Sequence, residues 1–160
     1  MSTHEASFTT AAVKAFRQNL DRTTKFFSTL TDAQLNTPIA PGKNRLNYIW
    51  GHLIAVNDAM FPLLGIGELL NPELEDIYLK SPDGPSANLP AADLNLAWNT
   101  INQKLLAAFD SFTPSQWLER HTAVTEADFA KEPHRNRFNI LLSRTSHLAY
   151  HLGQAVLAPK

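Results

Sequence analysis

Apolar residues recur at helical spacing in four long segments of this chain. They span about residues 7–28, 46–64, 90–109 and 136–157. In each segment apolar positions return every three or four residues, which is the period of an amphipathic helix. Pro62 is expected to end or kink the second helix, Pro90 suits the first turn of the third, and Pro159 closes the fourth. The pattern therefore predicts four long helices.

The connections between these helices predict how they are joined. Thr31–Gln34 and Thr113–Gln116 both have the Thr-x-x-Gln form of a capping box, so each should start a short helical turn. Residues 81–90 contain three prolines and a glycine and are expected to form a loop, with a shorter helix near 72–79 before it. We predict an all-α fold, an up-and-down four-helix bundle with a long crossover between helices 2 and 3, as a single domain over residues 1–160.

Composition narrows the class of protein. Hydrophobic residues make up 44% and charged residues 18% of the chain, which is typical of a globular protein. The formal net charge of -1 argues against nucleic acid as a partner. There is no cysteine, which excludes disulfides, thiolate metal sites and cysteine nucleophiles. The N-terminus lacks a signal-peptide pattern, and no apolar stretch approaches membrane-spanning length, so we expect a cytoplasmic protein with no membrane partner.

Two histidines of the fourth helix are placed to share a ligand. His147 and His151 are four residues apart, so their imidazoles lie on one face about one turn apart. Arg144 and Gln154 lie on the same face, at the margin of the apolar stripe. Such a pair also occurs as solvated or core histidines, so the pair alone does not establish a metal site.

His52 decides between these alternatives. It projects from the apolar stripe of the second helix, beside Tyr48, and should face the bundle interior. Three inward imidazoles without an ion would be costly to desolvate, whereas three around an ion form a common catalytic arrangement with an open position. The pattern predicts one divalent metal ion on His52, His147 and His151. Zinc or nickel suits these nitrogen ligands best, and iron remains an alternative.

Other metal sites fit the sequence less well. His147 is not followed by the glutamate of zinc proteases, and the long helices carry no Glu-x-x-His pair of a di-iron site. His121 and His134 lie in a polar stretch, residues 121–135, and are expected at the surface. This stretch has possible strand character at 122–125.

The histidine pattern resembles a known family. One histidine sits early in the second helix, and a His-x-x-x-His-x-Gly-Gln motif covers residues 147–154. With the four helices and the long crossover, this resembles the DinB-like superfamily. The resemblance implies a four-helix bundle, often dimeric, whose three metal-binding histidines correspond to His52, His147 and His151. Its relatives include thiol-dependent transferases and a mycothiol-dependent isomerase, but no residue of this chain marks the thiol-dependent branch.

Three functions are compatible with such a site. The first is a metal-dependent enzyme, a thiol transferase or a hydrolase, that acts on a small molecule. The second is a non-catalytic protein that binds the metal or an anionic ligand, and the third is a structural bundle without metal. Neutral imidazoles leave the charge of an ion uncompensated, which favours an anionic ligand such as a thiol or a carboxylate.

The surroundings of the site supply further candidates. Tyr48 and Gln154 flank the histidines and could orient them or touch a substrate. Arg144 could hold a carboxylate or be a surface charge. No general base is evident, because Asp58 points away from His52 on the helical wheel and Glu68 lies beyond Pro62.

A homodimer is also expected, partly from the resemblance. Phe26 and Phe27 are adjacent, as are Phe61 and residues 63–64, and one helix cannot turn all of them toward one core. Alternatively, the short helix near 72–79 and the crossover cover them within one chain.

Overall fold

A computed structural model describes residues 3–159 of the chain. All regular elements within these residues are helices. They are α1 (Thr3–Phe27), α2 (Asp32–Leu35), α3 (Leu46–Asp58), α4 (Met60–Leu64), α5 (Glu73–Tyr78), α6 (Ala91–Ser111), α7 (Pro114–Trp117), α8 (Glu126–Lys131) and α9 (Arg137–Ala155). The four long segments correspond to α1, α3 with α4, α6 and α9. The predicted all-α four-helix bundle with a long crossover is confirmed.

Helices α1 and α6 run in opposite directions. The rings of Phe16 and Phe109 meet edge to face with their centroids 5.3 Å apart. Later in α1, the Thr24 hydroxyl accepts a 2.8 Å hydrogen bond from Nε1 of Trp98, which lies earlier in α6. The order of these contacts along the two helices is reversed, which defines an antiparallel pair.

Helices α3 and α6 run in the same direction. The Asn47 amide donates to the Leu89 carbonyl just before α6, at 2.8 Å. Near the other end of α3, the Asn57 amide donates to Asn102 Oδ1, also at 2.8 Å. The crossover returns the chain to the end of the bundle at which α3 begins, so the second and third long helices are parallel. Because the end of α9 lies beside the end of α1, the helix order is up, down, down, up.

Proline and glycine break the second long helical segment. Helix α3 ends at Asp58, and α4 begins after Ala59. Pro62 has no N–H to bond the carbonyl of Asp58, four residues earlier, and its ring crowds that carbonyl. Gly65 then ends α4 with a φ of 68°, a left-handed conformation that glycine adopts at little cost. The interruption predicted at Pro62 is present.

Both predicted capping boxes are formed. The Thr31 backbone N–H donates to Gln34 Oε1 at 2.9 Å, and the Gln34 N–H donates to the Thr31 hydroxyl. The same reciprocal pair joins Thr113 and Gln116 at the start of α7. Each box turns the chain between a long helix and the connection that follows it.

Helix α3 is buried on nearly all sides, which the helical wheel did not predict. On the helical wheel Asn47, Gly51 and Asp58 lie round the side away from His52, yet all three are buried. The two oxygens of Asp58 accept hydrogen bonds from the backbone N–H groups of Leu70, at 2.9 Å, and Asn71, at 2.7 Å. Helices α5 and α6 cover this side. His52 itself is only half-buried, on the side facing α9.

The polar stretch after α7 differs from the prediction. Residues 122–125 form turns instead of a strand, and α8 follows them. His134 is exposed as expected, but His121 is buried. The segment is held against the end of α4, where the Thr122 N–H donates to the Leu63 carbonyl at 3.1 Å. Burial, with smaller contributions from Arg135 and Arg120, lowers the pKa of His121.

Most of the apolar residues that motivated the dimer are buried within the chain. Phe27, Phe61 and Leu64 are buried, while Phe26 is half-buried. Phe27 stacks on Trp50 with ring centroids 5.3 Å apart. Phe27, Phe61 and Leu64 therefore belong to the core, so a dimer would use other residues, such as Phe26, which keeps an exposed part.

No helix within residues 3–159 is both long enough and apolar enough to cross a bilayer.

Candidate metal centre

Three imidazoles converge between α3 and α9. The Nε2 atom of His147 lies 3.1 Å from Nε2 of His52 and 3.1 Å from Nε2 of His151. The candidate ligand nitrogens all lie within 4.8 Å of one another, and each of the three residues is half-buried. The structure therefore brings together all three histidines that the sequence singled out, although they are up to 99 positions apart in the chain (151 minus 52).

The outer nitrogens of two imidazoles have fixed hydrogen-bond partners. His52 Nδ1 lies 2.9 Å from the Tyr78 carbonyl, and His151 Nδ1 lies 2.8 Å from Gln154 Oε1. The Gln154 amide nitrogen donates to the Tyr150 hydroxyl at 3.1 Å, which leaves its oxygen toward His151. Because both oxygens only accept, each Nδ1 carries the proton and each Nε2 keeps a lone pair. Both lone pairs point into the cluster.

Hydrogen bonds among the three imidazoles cannot satisfy all of their inward-facing nitrogens. A neutral His147 has at most one N–H at Nε2, facing two Nε2 lone pairs. Protonating a ring would place a charge beside the other rings and Arg144. Burial first, and then His151, His52 and Arg144, lower the pKa of His147 to about 4. Burial and His52 also lower the pKa of His151, despite the opposing effect of its hydrogen bond to Gln154. At neutral pH both rings are uncharged, as metal ligands must be.

The spacing of the nitrogens matches a coordination sphere. Imidazole nitrogens bound to zinc at about 2.0–2.1 Å, with angles of 90–110°, are roughly 2.8–3.4 Å apart. The two observed separations of 3.1 Å fall within this range. The donor set and these two separations therefore fit a divalent ion, and the third pair of nitrogens lies within 4.8 Å.

The cluster has room for a further ligand on one side. Among residues 3–159, no carboxylate joins the three histidines as a potential fourth ligand. A cavity of about 210 Å³ opens beside them and is lined by Asn44, Tyr48, Ile49, His52 and His151. An ion at this cluster would be reachable by a small molecule.

Tyr48 forms a wall of this cavity. Its ring lies nearly parallel to His52, with an interplanar angle of 12° and centroids 6.3 Å apart. Its hydroxyl donates to the Ser81 carbonyl at 2.7 Å. Burial, followed by the charge of Asp83, raises the pKa of Tyr48, so the phenol keeps its proton. Tyr48 therefore supports His52 and shapes the cavity as a neutral group.

Arg144 lies one helical turn before His147, and its charge is among the causes that lower the pKa of His147. It is half-buried, and its Nε atom is buried without a hydrogen-bond partner. The expectation that Asp58 does not serve the site agrees with the structure. Its carboxylate accepts hydrogen bonds from the backbone N–H groups of Leu70 and Asn71. Glu68 is exposed.

Sequence reasoning missed two contributors to the site. Tyr78 orients His52 through its backbone carbonyl, 26 residues away in the chain, and a backbone group leaves no signature in the residue type. Asn44 lines the cavity from the loop before α3, where its side chain carried no recognisable motif. The predicted short helix near 72–79 was the one sequence feature that indicated regular structure around Tyr78.

The fold and the cluster together define a class: an all-α bundle whose second and fourth long helices present three histidines to one point. The sequence profile of the DinB superfamily matches residues 15–155, and the chain belongs to that superfamily. A search of curated proteins finds no match to the chain. The resemblance inferred from the histidine motif is thus confirmed.

Proposed function

We propose that this protein is a metal-dependent enzyme, of the thiol transferase or hydrolase class, that acts on a small molecule. His52, His147 and His151 would hold one divalent ion, zinc or nickel before iron. The observation that carries the proposal is the pair of Nε2 lone pairs directed at a third Nε2 atom, 3.1 Å from each. A cation satisfies all three nitrogens, and a proton does not.

The chain's own residues would divide the work around that ion. A divalent ion with three neutral ligands supplies Lewis acidity to a group at its open coordination position. Tyr78 and Gln154 keep the rings of His52 and His151 in the tautomer that presents Nε2. The 210 Å³ cavity lies below the roughly 300–1,000 Å³ of drug-sized pockets, which favours a small substrate or one end of a larger one.

Metal analysis followed by an activity screen tests this function. Protein purified without a histidine tag should contain about one equivalent of a divalent ion, measured by mass spectrometry of the metal. The loaded protein is then assayed with thiols plus small electrophiles and, separately, with small esters and amides. Failure to retain any added zinc, nickel or iron would overturn the metal site. Full metal content without turnover in either panel would instead support a non-catalytic binding protein.

Removing the ion should lower the melting temperature but leave the bundle folded. Binding to the folded state alone adds about 2.7 kcal/mol when free metal is 100 times its Kd. For a chain of this size that corresponds to roughly 5–10 °C. The core does not depend on the cluster, since Phe16, Trp50, Trp98 and Trp117 are buried without it. Circular dichroism melts with and without a chelator measure both effects. Loss of all helical signal on chelation would mean that the ion is a structural staple.

We also propose a homodimer, through the end of α9 and the residues after it. Val156 and Leu157 are 53% and 77% exposed, beside the half-buried Phe26 of α1. Such an apolar patch is stabilised when a symmetric partner covers it. Light scattering at micromolar concentration should give twice the 17.8 kDa of one chain. Leu157→Glu should shift the mass toward that of the monomer. A wild-type mass of one chain, unchanged on concentration, would remove the dimer.

A further inference from the structure

We propose that Arg144 binds the carboxylate group of a small-molecule ligand held at the three-histidine cluster. This inference rests on the proposed metal site and names the chemistry of what that site receives. Arg144, His147 and His151 lie on one face of α9, at positions i, i+3 and i+7. The guanidinium is thus presented on the same side as the imidazoles.

The pairing of the other arginines makes Arg144 distinctive. Every other half-buried arginine within residues 3–159 has a protein partner. The partners are Asp110 for Arg17, Asp83 for Arg45, the Val124 carbonyl for Arg120, Glu132 for Arg135 and Glu119 for Arg137. Among these described residues, Arg144 has neither an ion pair nor a hydrogen bond, and its Nε atom is buried. A charge withdrawn from water without a partner is costly, so the structure leaves it available for a ligand.

The charges around Arg144 select an anion. Among the described residues no acidic side chain pairs with Arg144, and no carboxylate joins the three histidines. Burial lowers the pKa of Arg144 from its ordinary value, but a guanidinium remains protonated at neutral pH. A divalent ion with neutral ligands would add two more positive charges. The site would therefore be strongly cationic, with no carboxylate of its own to balance it.

The form of the guanidinium favours a carboxylate. A single planar guanidinium matches the two oxygens of one carboxylate through parallel N–H···O bonds. A phosphate dianion is usually held by several donors, including backbone N–H groups of a helix start or loop, and here the neighbouring ligands are imidazoles. Arg144 does not line the 210 Å³ cavity, so the carboxylate would lie outside that cavity, on the side of His147 nearer Arg144. A short chain with a carboxylate at one end and a metal-binding group at the other fits these constraints.

Two thiols that differ only in the carboxylate test the proposal. We would titrate 3-mercaptopropionate and 3-mercapto-1-propanol into zinc-loaded, tag-free protein by calorimetry, with inorganic phosphate as a third probe. Wild-type protein should bind the carboxylate-bearing thiol at least about tenfold more tightly than the alcohol, as expected for a charge-assisted hydrogen bond. Arg144→Gln should remove most of this preference while leaving the affinity for the alcohol unchanged. Arg144→Lys should retain part of it, since the charge is kept and the planar fork is lost.

The controls separate this inference from the proposed function. Arg22 is exposed on α1, so Arg22→Gln should keep the full preference. Metal content is measured on each variant, because a protein that holds no ion refutes the metal site independently. If no ion is retained, the same titrations are carried out on metal-free protein. A preference for the carboxylate-bearing thiol that Arg144→Gln removes then still supports the role of Arg144. An unchanged preference in Arg144→Gln, or tighter Arg144-dependent binding of phosphate than of the carboxylate, overturns the proposal.

Discussion

Replacing His147 with alanine is expected to lower the affinity for a divalent ion by more than about 100-fold. His147 Nε2 lies 3.1 Å from each of the other two Nε2 atoms, so its loss leaves two ligands without the nitrogen that lies close to both. Outer partners of metal ligands alone account for about 10–100-fold in affinity, and a direct ligand should account for more. The metal-free variant should fold, because His147 is half-buried and lies outside the apolar core.

A graded series of variants tests this expectation. Competition with a chelating indicator gives Kd for zinc in each tag-free protein. Gln154→Leu should weaken binding by roughly tenfold, since it removes only the acceptor that orients His151 at 2.8 Å. His134→Ala should bind like wild type, because His134 is exposed and outside the cluster. A His147→Ala protein with wild-type affinity would show that the ion binds elsewhere.

Replacing Gly51 with alanine should destabilise the protein by about 2–3 kcal/mol, or roughly 5–10 °C in melting temperature. Alanine normally stabilises a helix interior relative to glycine. At this position an added Cβ would overlap the Cδ1, Cε1 and Cζ atoms of the Tyr78 ring. The ring is fully buried and its hydroxyl donates to Asn47 Oδ1 at 3.0 Å, so it cannot yield without losing this bond. Overpacking therefore outweighs the gain in helix propensity.

The same substitution should reach the metal centre. The Tyr78 carbonyl accepts the hydrogen bond from His52 Nδ1, so displacing Tyr78 disturbs the orientation of that imidazole. We expect metal affinity to fall by about tenfold. Gly153→Ala is the matched control, since an added Cβ there meets nothing within 4 Å and should stabilise α9 by about 0.5–1 kcal/mol. Equal stability of Gly51→Ala and wild type, in a calorimetric melt, would contradict the packing argument.

Several expectations from the sequence concerned local geometry, and these hold. Apolar periodicity located the four long helices, the Thr-x-x-Gln pairs identified both capping boxes, and Pro62 marked the interruption of the second helix. The four-residue spacing of His147 and His151 placed their rings together on one helix face. Each depends on backbone geometry within a few residues, which the order of side chains along one helix already expresses.

Expectations that required knowledge of a neighbouring element were less reliable. His121 was expected at the surface but is buried against the end of α4. Phe27 and Phe61 were expected to be covered either by a second chain or by the short helix and the crossover, and burial in the core of one chain is what the structure shows. Burial depends on what covers a face, and the covering element can come from any part of the chain.

By itself, then, the sequence determined the class of fold, the helices and the three histidines that meet in the structure. The tertiary structure decided what surrounds them. It covers α3 on both sides and pairs the Asp58 carboxylate with two backbone N–H groups. It also places the Tyr78 carbonyl beside His52 and leaves Arg144 without an acidic partner. These features arise from contacts between segments tens of residues apart or from the absence of such contacts. Helical periodicity records only the direction of a side chain from its own helix, so it specifies which residues face inward but not what they meet there.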